Sequence, residues 1–160
     1  MRVFRIEREK YLDQVLSGLG AARSEGHRWN SLHTRMVYTA ASRALALLEI
    51  AVHLDLSEDL PTDRYFVEID IPDYLPFAAV TLDALSKDWY ESPPLRETQV
   101  LGDRFTLEAK APMLRVPSSI VPQEFNYLIN PLHPDAGEIA VVSAERLRMD
   151  GRLLGLSLSK

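Results

Sequence analysis

Three side chains in the first third of the chain have the types and spacing to do chemistry together. They are Arg28, Tyr38 ten residues on, and Glu49 eleven beyond that. A guanidinium can grip a diphosphate through two parallel hydrogen bonds. A tyrosine ring can stack on a flat or cationic heterocycle. A carboxylate in an apolar setting can take ribose hydroxyls and stabilise positive charge developing on the sugar. Glu49 has that setting, for residues 44–52 read ALALLEIAV, eight apolar side chains around one acid. An ionised carboxylate is costly to bury unless something pairs with it. Two plainer readings stay open: Arg28 and Glu49 as a structural ion pair, and Trp29 and Tyr38 as core aromatics.

Other chemistries find little support. His27, His33, His53 and His133 are scattered and the chain has no cysteine, so no metal site is expected. There is no G-x-S-x-G elbow for a serine nucleophile, and Ser118 and Ser119, in PSS after a strand, read as turn hydroxyls bonding their own backbone. No Gly-rich loop of Walker or Rossmann type occurs.

The elements that must position these residues interleave strands and helices irregularly. VFRI fits a short strand. REKYLDQVLS (8–17) puts Tyr11, Leu12, Val15 and Leu16 on one helical face, stopped by Gly18 and Gly20. The polar stretch ARSEGHRWNSLHTR fits neither period and reads as a functional loop. MVYT (36–39) is a short buried strand, after which Ser42 or Thr39 can cap a helix running to about His53. That helix is apolar on nearly every face, as a helix inside the core would be. Strands are expected at RYFVEIDIP (64–72), residues 112–117 and EIAVV (138–142), and a helix through LRETQVLGDRF after Pro93 and Pro94. PSSIVPQEFNYLINPLHPD is a proline-punctuated stretch with short extended pieces, and the tail RLRMDGRLLGL is mixed. The pattern predicts a single compact α+β domain over residues 1–160.

With 46% hydrophobic and 26% charged residues the chain is ordinary for a globular protein. No apolar run approaches a membrane span, and MRVFRIEREK lacks the apolar core of a signal peptide, so a cytoplasmic location is expected. A net charge of −5 argues against direct binding of nucleic acid. An anionic ligand would need locally placed arginines and backbone amides.

HRWNSLHTRMVYTAASRALALLEIAVHL resembles the first signature of the RES-domain toxins, the toxic half of RES–Xre toxin–antitoxin modules. VPSSIVPQEFNYLINPLHPDAGEIAV resembles the second, and TQVLGDRF and RMDGRL resemble further patches, in the same order. The resemblance implies an ADP-ribosyltransferase-like fold in a bacterial, cytoplasmic protein with a pocket for NAD+ as substrate. It assigns the arginine, glutamate and serine of the family's name to Arg28, Glu49 and Ser118, with Tyr38 as a fourth member. Ser118 thereby becomes a ligand group rather than a turn hydroxyl. Asn30, beside Arg28, and Arg5, on the first strand, are further candidates for holding NAD+. Members break the nicotinamide–ribose bond with water or inorganic phosphate as acceptor, and some transfer ADP-ribose to proteins. The expected partner is an Xre-type helix-turn-helix antitoxin, which carries the DNA binding, with the toxin a homodimer in a larger assembly. A catalytically inert antitoxin-binding module is the remaining alternative. Where the family commonly has glycine, just before RWN and again shortly after, this chain has His27, then Leu32 and His33.

Overall fold

The computed structural model describes residues 1–24, 27–52 and 62–150. Seven strands form one sheet: β1 (Arg2–Arg8), β2 (Val37–Ala40), β3 (Arg64–Asp70), β4 (Phe77–Ala79), β5 (Met113–Pro117), β6 (Phe125–Ile129) and β7 (Ala140–Arg146). Their order is β4-β5-β6-β2-β1-β3-β7. Every pair is antiparallel except β4–β5. Three α-helices accompany the sheet: α1 (Leu19–Arg23), α2 (Arg43–Ala51) and α3 (Arg96–Glu108). This is the expected α+β architecture, with one parallel connection, from β4 through α3 to β5. The expected helix end at His53 and the last residues of the mixed tail lie outside the described residues.

Alternation along the strands divides the core. Val3, Val37, Val67, Ile69, Met113 and Ile129 cluster on one face of the sheet, together with Val15, Leu75 and Ile139. On the other face Ile6 and Ala40 pack under α2 through Leu45 and Ala46, and Leu114, Val116 and Leu128 pack with Trp29, Trp89 and Phe105 of α3. Each large apolar side chain so buried contributes roughly 1.5–3 kcal/mol.

α2 starts where its cap was expected, with Ser42 Oγ accepting from Leu45 N–H at 3.1 Å. Thr39 instead donates its hydroxyl to Tyr127 O. The helix does not lie inside the core, however. Only one stripe of it meets the sheet, and Leu48 is 44% and Val52 59% exposed. A single sheet with α2 on its outside gives the helix nothing to bury its far side against. Arg43 pins it down, pairing with Glu68 at 2.9 Å and lying over the rings of Phe4 and Phe66.

Two segments differ from their sequence reading. Residues 9–14 form a 3-10 helix, and Tyr11 is exposed while Val15 is buried. Gly18 does not merely stop it. At φ 66° it reverses the chain against Met36 and restarts it as α1, whose last two residues, Ala22 and Arg23, begin the stretch read as loop. The rest of that loop, residues 27–35, folds back on itself, with His33 N–H donating to Ala22 O at 2.8 Å. His33 sits at φ 73°, a conformation glycine adopts readily, so a residue with a side chain carries backbone strain there.

Gly102 fixes where this loop lies. A Cβ on it would run into the carbonyl oxygen of Trp29, a main-chain atom that cannot step aside. Gly102→Ala is expected to destabilise the protein by about 3 kcal/mol, a melting temperature lower by roughly 5–10 °C, as read by thermal unfolding. A change under about 2 °C would show that α3 and the loop are not held together there.

Candidate functional site

β1 and β2 are neighbours joined at a single pair, Phe4↔Ala40, whereas β1 meets β3 along its full length from Arg2↔Asp70 to Arg8↔Arg64. Beyond Phe4 the two strands part, and a cavity of about 600 Å³ opens along the break. Arg5 and Glu7 of β1, Tyr38 and Thr39 of β2, Glu49 of α2 and Asn126 of β6 all face it. The Arg5 guanidinium reaches across the gap to donate to Tyr38 O at 3.2 Å, where a strand ladder would otherwise continue, and pairs with Glu7.

Glu49 is held from the sheet side. Its Oε1 accepts from Ser118 Oγ at 2.8 Å and from Asn126 Nδ2 at 2.6 Å. Among the described residues nothing donates to Oε2. Ser118 is fully buried at the end of β5. Its oxygen accepts from the N–H groups of Ile120 and Val121, both at 3.1 Å, so its single proton is directed to Glu49. The hydroxyl is therefore both a turn acceptor and the support of a carboxylate. It stands behind the cavity wall rather than on it.

A second network shapes the rim. The Tyr38 hydroxyl donates to Asn30 Oδ1 at 2.7 Å and accepts from Trp29 N–H at 3.0 Å. Asn30 is fully buried, and its Nδ2 ties together the carbonyls of Ala21, Ser31 and Thr34. The His27 ring stacks on Tyr38 with centroids 5.2 Å apart. Burial pushes the Tyr38 phenol well above its ordinary range.

Arg28 stands apart from the wall. Its Nη1 donates to Trp89 O and its Nη2 to the carbonyls of Tyr90 and Glu91 at 3.0 and 3.1 Å, with the guanidinium over the Trp89 ring. Among the described residues no carboxylate touches it, so the structural ion pair with Glu49 does not form. Burial lowers its pKa, while the charges of Glu49 and Tyr38 act the other way, so Arg28 and Glu49 interact through space.

Of the six residues singled out in the sequence, then, Arg5, Tyr38 and Glu49 face the cavity, and Arg28, Asn30 and Ser118 brace it from behind. Asn126 was missed, although it lies in the FNYL segment of the second signature, eight residues after Ser118. Arg23 and Arg64 also line the cavity. Among the described residues of the lining, three arginines stand with Glu7 and Glu49. Among the described residues no group of three histidine or acidic side chains could hold a metal, and no helix is long and apolar enough to cross a membrane.

A single sheet parted between two strands, with a carboxylate held at the break, makes this an α+β domain with a cleft through its sheet. The chain belongs to the RES domain family, whose model matches residues 2–150. It is 42% identical over 141 residues to a Prs ADP-ribosylating toxin of a Sphingobium species, covering 87% of this chain and 86% of that one. It is 41% identical over 139 residues to a Toxin Res of Pseudomonas putida, covering 86% and 92%. The fold matches that in a crystal structure of the M. tuberculosis MbcT-MbcA toxin-antitoxin complex, with a TM-score of 0.74 at 17% identity, over 96% of this chain and 86% of that one.

Tyr38→Phe leaves Trp29 N–H and Asn30 Oδ1 without their partner and is expected to cost about 1–3 kcal/mol. It also has a pH signature. A phenol whose pKa is raised by folding contributes stability that is complete below its unfolded value of about 10 and is lost as pH rises above it. Denaturant titrations between about pH 9 and 11 should therefore show the Phe variant losing less stability with pH than the wild type. Parallel curves would mean that Tyr38 ionises as freely in the fold as outside it.

Proposed function

We propose that this chain is the toxin of a toxin–antitoxin module and acts by cleaving the nicotinamide–ribose bond of NAD+, with water or inorganic phosphate as acceptor. The observation that carries the reading is Glu49: a carboxylate that lines a cavity together with arginines and has one oxygen held by two fixed donors. The cavity volume of about 600 Å³ is within the range of small-molecule sites. Membership of the RES family and the names of its toxin relatives support the same assignment.

The chemistry suits these groups. As the C–N bond breaks, its electron pair goes to the pyridine nitrogen and nicotinamide leaves neutral, so no general acid is needed. Positive charge spreads over the ribose, as in glycoside cleavage, and an anion fixed beside it lowers the barrier. Glu49 Oε2 fills that role in its ionised form and also receives a ribose hydroxyl. Water then adds to the anomeric carbon and loses a proton to give ADP-ribose, or phosphate adds through oxygen to give the phosphorylated sugar. Tyr38 walls the nicotinamide end with His27, and Arg5 with the other lining arginines attracts the diphosphate. Arg28 acts through its charge and by holding residues 89–91 to the loop.

A second reading is favoured by one observation, that the Sphingobium relative is an ADP-ribosylating toxin by name. There the acceptor is a protein. Incubation with labelled NAD+ and lysate separates the two, since discrete labelled bands mean transfer and free products alone mean degradation. A decayed, inert module is disfavoured by the intact support of Glu49, because an idle carboxylate among apolar residues costs stability. The fold shared with the MbcT-MbcA complex supports an antitoxin as partner. We further propose that this antitoxin is of Xre type, and that the toxin is a homodimer working in the cytoplasm.

Glu49→Gln keeps the shape and one oxygen to accept from Ser118 and Asn126, but removes the charge and turns the other oxygen into an N–H donor. It is expected to lower NAD+ consumption by about 100- to 1,000-fold, with an unchanged melting curve. Product analysis of the wild type, ADP-ribose against its phosphorylated form, identifies the acceptor. A Gln variant within about tenfold of wild type would remove Glu49 from the mechanism.

A further inference from the structure

Asn126 stands on β6 between Ala40 of β2 and Val116 of β5, both apolar, and faces the cavity beside Glu49. Its two amide atoms fare differently. Nδ2 donates to Glu49 Oε1, whereas Oδ1 is buried with no hydrogen-bond partner. A buried carbonyl without a partner lowers the stability of a fold. Turning the amide over would not relieve it, because an ionised carboxylate only accepts, and Oδ1 would then meet Oε1 lone pair to lone pair. An apolar side chain between Ala40 and Val116 would remove the penalty altogether. The fold gains nothing from the amide except its one bond to Glu49.

We infer that Asn126 is a positioning residue for Glu49. Two donors, Asn126 Nδ2 and Ser118 Oγ, converge on Oε1 from different places in the second signature. Either alone would leave the carboxylate free to swing about its last side-chain bond. Together they fix its plane and present Oε2 to whatever occupies the cavity. Ser118 has a structural duty as well, closing the turn through Ile120 and Val121. Asn126 has none, so its removal isolates the aiming of the carboxylate from the folding of the chain. The inference rests on the reading of Glu49 as the group that meets the developing ribosyl cation, and adds what holds it there.

Two variants and one spectrum test this. Asn126→Leu matches the volume and removes both polar atoms. Its kcat for NAD+ loss is expected to fall about 10- to 100-fold, the usual weight of a hydrogen bond to a charged group, with KM within about threefold. Its melting temperature should stay within about 3 °C of wild type or rise, because the unpartnered carbonyl goes with the donor. Asn126→Asp sets a second carboxylate against Glu49 and should lower kcat further than Leu does. A purely structural residue would do the reverse, lowering the melting temperature and sparing kcat. A Leu variant with kcat within about twofold of wild type overturns the inference. If the Leu variant does not fold, the Asp variant decides by the same criterion. Independently of activity, the Asn126 side-chain amide resonances in a 15N-labelled protein should move when Glu49→Gln is introduced. Should the wild type consume no NAD+, the functional reading fails, and this spectrum still decides whether Asn126 is bound to Glu49. An unmoved resonance overturns the inference.

Discussion

The parting of β1 from β2 is the constraint on which the rest of the structure depends. Two antiparallel strands in the middle of a sheet would normally pair along their length, since unpaired backbone groups in a protein interior are costly. Here they pair at Phe4↔Ala40 and then separate. The opening is held by polar side chains. Arg5 spans it to reach Tyr38 O, and Glu7 anchors the same guanidinium. Had the ladder closed, there would be no room between β1 and β2, and α2 would cover an unbroken sheet.

Every other feature of the site can be read as support for that opening. β2 is short and must be carried by β6, with which it pairs from Val37↔Ile129 to Ala40↔Asn126. β6 in turn brings Asn126 under α2, and the turn between β5 and β6 brings Ser118, so one strand pair supplies both donors to Glu49. On the far side the loop bearing Trp29 and Asn30 is fixed by the Tyr38 hydroxyl and by Gly102 of α3. The two networks do not share a hydrogen bond. They share β2, which is why a four-residue strand can place both the Tyr38 side of the wall and the Glu49 side.

Much of this was legible in the sequence, for identifiable reasons. Ser42 announced α2 because capping is local chemistry, and Glu49 announced itself because a carboxylate in ALALLEIAV needs an explanation. Strand alternation located β2, β3 and β5. What escaped was set by distant contacts. The exposure of Leu48 and Val52 depends on how many layers the fold has, which the helix itself does not record. Arg28 finds its carbonyl partners 61 to 63 residues away, on a segment with no motif to mark it. Asn126 looked like one more polar residue in a proline-punctuated stretch, because its meaning lies in the side chain opposite it. β4, three residues long, carries too little pattern to register.

The placement of Arg28 changes what an arginine can be expected to do at such a site. A guanidinium that grips a diphosphate must be free to present its fork, and this one has turned its fork to three main-chain carbonyls. Carbonyls solvate the cation without neutralising it, so its charge survives as a field in the direction of Glu49. In a medium less polar than water such an attraction acts without contact and without any side chain having to move. Fixed charge of this kind needs no reorganisation as a reaction proceeds, which is the condition for electrostatic stabilisation to be effective. On the reading proposed above, gripping falls to the arginines of the wall and polarising to the one behind it. The residue type alone could not have divided those tasks; the partners of its five donors do.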